Sequence, residues 1–328
     1  MRIPARLAQA TGTAILLALG GLAAPVHAAA ADYPNKPIQI IYPFPPGSST
    51  ELAARTLAKG ASDRLGQTVL VVNRAGANGI IGMQAAVKSA PDGYTLVYGT
   101  PDTNIIQPLV NAKLPYAPDR ELTPIAKISD VFFVLSVNAA LPVNNVDELA
   151  AYAKGKTLRY ATYGPGTLPH VSTELMLGKL GVKMQHIPYQ GGAAAALAIA
   201  RGDVEMNFGG YQNVRPHVQD KKVRLIGIAQ EAASDRLPGV LPLKLNGVPY
   251  VVSGWNGLFA PRGVSEDIAN KLSEVFVAVA ETPDFRTALA NAGAETTPLK
   301  RADFIKFFNA ERERFAVVVR ENNIKVEE

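Results

Sequence analysis

From Pro37 onward the chain alternates short apolar runs with stretches of helical period, and that alternation restricts the fold more than any other feature. Such an alternation builds βα units and a mostly parallel sheet. A first series predicts strand 38–42, a Pro/Gly loop, helix 49–65, strand 68–73, helix 79–89 and strand 95–98. A second predicts strand 132–137, helix 146–154, strand 158–162, helix 168–180, strand 186–189, helix 193–201, and strands 204–208 and 223–229. Two series in 328 residues imply an α/β chain of two lobes, because one domain takes roughly 100–200 residues. A Pro/Gly-rich stretch at 237–249 then leads to an apolar segment at 253–260 and three closing helices. Ser265 caps the first, Thr282-Pro283 opens the second before Gly293 ends it, and the third sets Phe304, Phe308, Phe315 and Val319 on one face. The sequence shows no internal repeat.

The first residues read as an address. Arg2 and Arg6 make a positive start, 14–24 an apolar run too short to span a bilayer, and Val26-His27-Ala28 a small-x-Ala cleavage pattern. Residues 1–28 are therefore expected to be a secretory signal peptide, with Ala30 as the later choice of cleavage site. No Cys follows the run to take a lipid anchor. Its removal leaves a net charge of +3 and a soluble chain expected in a bacterial periplasm.

Composition excludes several chemistries. Without cysteine there is no disulfide frame, thiolate nucleophile or CxxC metal site. The 33 basic residues are interspersed with 28 acidic ones, as in Glu311 to Arg314, so no nucleic-acid footprint forms. Gly155-Lys156-Thr157 ends like a phosphate loop, but position 150 is Ala and the segment runs from helix to strand. Gly76, Gly79 and Gly82 lack the first G-x-G spacing of a dinucleotide fingerprint. No G-x-S-x-G occurs, and His170, His186 and His217 lack metalloprotease spacing. No cofactor or metal is expected. Trp255 reads better as a core or interlobe residue than as a stacking platform.

Three strand-to-helix loops are placed to carry function. In PFPPGSSTE, 43–51, two prolines keep the chain out of helix until Gly47, and Ser48 with Glu51 fits a capping box. The amides of Gly47 to Thr50 then lie at the positive end of a helix, where a carboxylate sits well. Hydroxyls of Ser48, Ser49 and Thr50 add bonds, and Phe44 adds an apolar wall. The same residues equally do no more than start a helix. In ATYGPGTLPH, 161–170, Thr167 is placed as an N-cap and Pro169 falls in the first turn. Two such loops, one per series, suit an anion clamp between lobes. His170 reads better as a neutral histidine bonded to the loop backbone than as a ligand contact. The third loop, YQGGAAAA at 189–196, brings backbone close to a cleft, and tight packing explains it as well.

These segments also carry a resemblance. YPNKPIQIIYPFPPGSSTE, QTVLVVNRAGANGIIG, APDGYTLVYGT, KLPYAPDREL, YGPGTLPH, IPYQGG and WNGLFAP follow one another as in the tripartite tricarboxylate transporter substrate-binding proteins, also called the Bug family. The similarity runs from Tyr33 to about Lys325. It implies a two-lobed periplasmic-binding-protein fold of type II, a Venus flytrap with ligand in the interlobe cleft, lobe 1 being 32–129 plus 248–328 and lobe 2 being 130–247. It implies a monomeric receptor, not an enzyme, that captures a small carboxylate and delivers it to a permease of one large and one small membrane subunit. Gly47, Ser48, Ser49 and Thr50 match the family's first carboxylate loop, and Thr162, Tyr163, Gly164, Gly166, Thr167 and His170 match the second. The family usually has Gly at Ser48, Asp at Glu51, a small residue at Tyr163 and commonly Asp at Gly209. Losing that Asp disfavours an amino-acid ligand and favours an uncharged far end or a second carboxylate, as in a di- or tricarboxylate, while Tyr163 and Phe44 make room for an aromatic acid or a longer apolar body. Candidates for the distal end are Asp102, Thr103, Tyr189, Gln190, Gly209 and Asn213.

The alternative is a secreted hydrolase of carboxylate esters with Ser49 or Thr167 as nucleophile. It has no base at recognisable spacing.

Overall fold

Ile38–Tyr42 is apolar at all but one position and buried nearly throughout, as a strand covered on both faces requires. The computed structural model describes residues 32–230, 233–246, 248, 253–291 and 293–321, so the expected signal peptide lies outside the described residues. In chain order, β1 (Ile38–Tyr42), α1 (Ser49–Leu65), β2 (Val69–Asn73), α2 (Ile80–Val87) and β3 (Thr95–Gly99) form one βαβαβ unit. In it β1 lies between β2 and β3, parallel to both. A wide helical turn, Asp102–Ile106, runs into α3 (Gln107–Val110). It is followed by α4 (Pro118–Glu121), the 17-residue β4 (Leu122–Asn138) and α5 (Val146–Ala153). The first pattern then returns with β5 (Arg159–Thr162), α6 (Leu168–Leu180), β6 (Gln185–Pro188), α7 (Gly192–Arg201) and β7 (Met206–Gly210), and β5 lies between β6 and β7, again in parallel. Two units with no shared sequence repeat thus have one topology. The rest is α8 (Tyr211–Gln219), β8 (Val223–Ile228), β9 (Ser253–Pro261), α9 (Glu266–Ala280), α10 (Pro283–Asn291), β10 (Ala294–Leu299) and α11 (Arg301–Glu321).

The strand order is β2-β1-β3-β9-β4-β7-β5-β6, with β8 and β10 also paired to β4. The expected mostly parallel sheet is corrected here, because β4 runs antiparallel to β7, β8, β9 and β10, and β9 antiparallel to β3. Residues Leu122 to Phe132 of β4 pair with β9, whereas Phe133 to Val137 pair with β7 and Val134 to Asn138 with β8. One strand therefore serves two sheets, each carrying one βαβαβ unit. Pro124, Lys127, Ser129 and Asp130 interrupt the apolar run, so the pattern predicts a strand only at 132–137. Register shifts fall at the first three, between Pro124 and Ala126 and between Lys127 and Ser129. Lys127 is buried in β4 because its ammonium meets the Asp130 carboxylate at 2.7 Å and Thr297 Oγ1 at 2.8 Å.

The face of α11 matches its periodicity: Phe304, Phe308, Phe315 and Val319 are buried. Trp255 is fully buried against Phe259, Phe304 and Phe308, which makes it a core residue. No described helix is long and apolar enough to cross a membrane.

Candidate functional site

The loops after β1 and β5, the central strands of the two units, both end in helix N-termini. Before α1, Gly47 takes φ +97°, a conformation that favours glycine. Ser48 caps the helix: its Oγ accepts the Glu51 N–H at 3.1 Å. Glu51 reaches back one residue further than an ordinary capping box and accepts the Gly47 N–H at 2.6 Å. It also accepts from Arg55 at 2.7 Å, which in turn reaches Asn73 Oδ1 at 2.8 Å. Burial pushes the Glu51 carboxyl up, but the Gly47 N–H, Arg55 and Asn73 outweigh it and hold the group below its ordinary range.

The hydroxyls of this loop turn on one another. Tyr42, the last residue of β1, places its OH 2.8 Å from Ser48 Oγ and 2.6 Å from Thr50 Oγ1, which are 3.0 Å apart. Burial raises the Tyr42 phenol above its ordinary value. Ser48 and Thr50 are therefore committed to a triangle with Tyr42, a partner the sequence reading missed although it ends the strand. The N–H groups of the first helical turn have no acceptor within the helix, and here these are the amides of Ser49 and Thr50. The Ser49 side chain lies outside the described residues. Phe44 stands edge-on to Tyr42, ring centroids 5.5 Å apart.

In the second loop Thr167 has the backbone of an N-cap, but its side chain does not cap α6; it donates to Gly164 O at 2.8 Å. Thr162 Oγ1 accepts the Gly164 N–H at 3.1 Å and lies 2.6 Å from His186 Nε2. His170 Nδ1 accepts the Gly166 N–H at 3.2 Å, the backbone-bonded role expected for it, and its ring stacks on His186 at 4.2 Å. Burial lowers the His170 pKa. Burial, then the neighbouring ring, lowers His186 to about 4, so both are neutral at pH 7. Tyr163 accepts from Gly210 N at 2.7 Å and from Asn213 Nδ2 at 3.1 Å. A Cβ built on Gly209 would collide with this phenol oxygen. Burial raises the phenol to about 12.

A tight turn, Ala77–Gly79, stands between the two loops. Gly79 packs against Pro43, Phe44 and Thr103 on one side, and Asn78, at φ 53°, donates through Nδ2 to Pro165 O at 3.3 Å on the other. Gln107 Nε2 adds bonds to Pro165 O and Gly166 O, both at 3.4 Å. Asp102 completes the seam by accepting the N–H of Leu168, the first residue of α6. Loss of hydration raises the Asp102 carboxyl to about 6 although that N–H lowers it. The α6 N-terminus, expected to hold a ligand carboxylate, is thus met by a carboxylate of the chain itself. Asn78 carries a local signal, since Asn tolerates the left-handed conformation; Gln107 carries none, because its partners lie 58 and 59 residues away. Of the remaining candidates, Thr103 is fully buried with its hydroxyl on Asn104 Oδ1 at 2.8 Å, Gln190 is exposed in the turn before α7, and Tyr189 packs on the same apolar cluster as Tyr163.

The chain matches the tripartite tricarboxylate transporter family receptor, TctC, over residues 53–324. It is 34% identical over 317 residues to protein BugT of Bordetella pertussis, covering 95% of this chain and 96% of that one. Among solved structures, Rpa4515 of Rhodopseudomonas palustris with adipate is similar at TM-score 0.84 and 29% identity, covering 90% of this chain and 99% of that one. MatC from the same organism, with bound malate, is similar at TM-score 0.81 and 28% identity, covering 88% of this chain and all of that one. The structural neighbours are periplasmic binding proteins of the two-lobed type. By sequence and by architecture, this chain belongs to the TctC family of periplasmic solute receptors, the family of the Bug proteins.

Proposed function

We propose that this chain is exported to the periplasm, captures a small carboxylate between two lobes, and hands it unchanged to a tripartite tricarboxylate-type permease. In this reading the lobes are 32–129 with 248–328, and 130–247, and the receptor works as a monomer. The observation that carries it is the pair of equivalent loops, after β1 and after β5, that converge on the turn at Ala77–Gly79. Both loops end in helix N-termini, and that of α1, with the Ser49 and Thr50 amides without an acceptor in the helix, is the arrangement that favours a small anion, while that of α6 is met by Asp102. The adipate and malate held by the two relatives support the ligand class. Closure of the lobes on a ligand shifts an open population to a closed one, which a permease then recognises.

Phe44, Gly47 and the amides of Ser49 and Thr50 supply the first half of the site in this reading. Tyr163, Gly166 and Gly209 line the second, with Thr162, Thr167 and His170 holding its loop. Ester hydrolysis is less well supported: Thr167 spends its proton on Gly164 O, and His170 turns Nδ1 to the Gly166 N–H.

A thermal-shift screen of the mature chain against several dozen small carboxylates and their esters tests the proposal. Melting shifts with some acids and no product at catalytic protein levels support it. No shift with any acid, or turnover of an ester, contradicts it.

A further inference from the structure

Asp102 presents the anionic side chain of the seam; beside it Asn78 and Gln107 offer neutral amides. Its carboxylate accepts the N–H of Leu168 at the positive end of the α6 dipole, where a second ligand carboxylate would otherwise be held. Among the described residues it makes no ion pair, and the neighbouring ionisable groups that feel its charge are the phenols of Tyr116 and Tyr163. The negative charge of Asp102 is met by the α6 N-terminus and, among the described residues, by no ion pair with a cationic side chain. The Tyr163 phenol receives two N–H groups, from Gly210 and Asn213, which leaves its own proton as a donor.

The geometry points to Asp102 as the residue that selects ligand charge, so that the cleft takes monocarboxylates with a neutral, hydrogen-bonding far end and rejects dicarboxylates. The inference rests on the receptor reading and narrows its ligand class. A hydroxyl or primary amide at the far end donates to Asp102 and accepts from Tyr163. A carboxylate there meets a like charge in a poorly hydrated seam, which is how a fixed charge rejects a wrong partner.

Isothermal titration at pH 7.5 with the linear dicarboxylates of four to eight carbons and their monoamides tests this, on the wild type and on Asp102→Asn. The amide variant keeps an acceptor for the Leu168 N–H and removes the charge. The wild type is expected to bind the best monoamide about tenfold or more tighter than the matching diacid, and Asp102→Asn to erase or reverse that ratio. A wild type that binds diacids as tightly as monoamides overturns the inference, as does a folded Asp102→Asn with an unchanged ratio. Diacid binding would leave the receptor reading standing; failure of every compound in this set to bind would overturn the inference, and failure of the wider carboxylate screen would remove the receptor reading as well.

Discussion

Tyr163 fills the space that a side chain at position 209 would need, and its hydroxyl bridges to Gly210 and Asn213. In the sequence the tyrosine and the glycine are two separate departures from the family pattern, 46 positions apart; in the structure they are one exchange of volume. Gly209→Asp is expected to destabilise by about 1–3 kcal/mol in urea unfolding, the ordinary cost of overpacking. Adding Tyr163→Ser is expected to return about 1 kcal/mol or more, as for residues in contact. Strict additivity of the two substitutions would contradict the exchange.

At the scale of elements, the N-terminus of α1 is held by Ser48, Glu51 and Arg55 rather than by tertiary packing alone. Ser48→Ala removes the cap and one corner of the Tyr42–Thr50 triangle. A loss of about 1–2 kcal/mol in chemical denaturation is expected, and a loss near zero would show the cap to be idle. Elements with local signals were legible beforehand. The capping patterns at Ser48 and Ser265 and the apolar face of α11 each appear where the periodicity placed them. Elements stabilised from a distance were not legible. The first half of β4 carries Pro124, Lys127 and Asp130, tolerated because β9 and β10 supply the ladder and Thr297 a partner. Likewise α8 is polar with Pro216 inside, and β10 is polar and only half-buried. In the site, the two loops were legible from their Gly, Pro and hydroxyl residues. Asp102 stood among the distal-end candidates, but the bonds that join it, Asn78 and Gln107 into a seam were not legible, since they span between 58 and 87 residues.

Across the whole molecule, two partly buried groups, Asp102 and His186, oppose one another in pH. The folded chain raises Asp102 from an ordinary carboxylate value to about 6, so the native state holds that proton more tightly than the unfolded state does. This contribution to stability is fully present below about pH 4 and is lost as pH rises through 6. His186 is lowered to about 4, so the unfolded chain holds its proton more tightly and stability rises with pH from about 4 to 6.5. The two slopes offset each other over pH 4–6. Asp102→Asn is expected to leave the histidine slope uncovered, with melting temperature climbing more steeply over that window than in the wild type. Parallel curves would contradict the opposition.

The receptor account of the molecule joins capture to the absence of chemistry, and one titration reads both. Proton NMR of a carboxylate that gives a thermal shift, followed as the mature chain is added, reports binding through line broadening and the ligand's fate through its shifts. The account predicts saturable broadening at one equivalent, with the ligand recovered unchanged after prolonged incubation. New ligand resonances that grow with time, or the absence of saturable broadening, would contradict it.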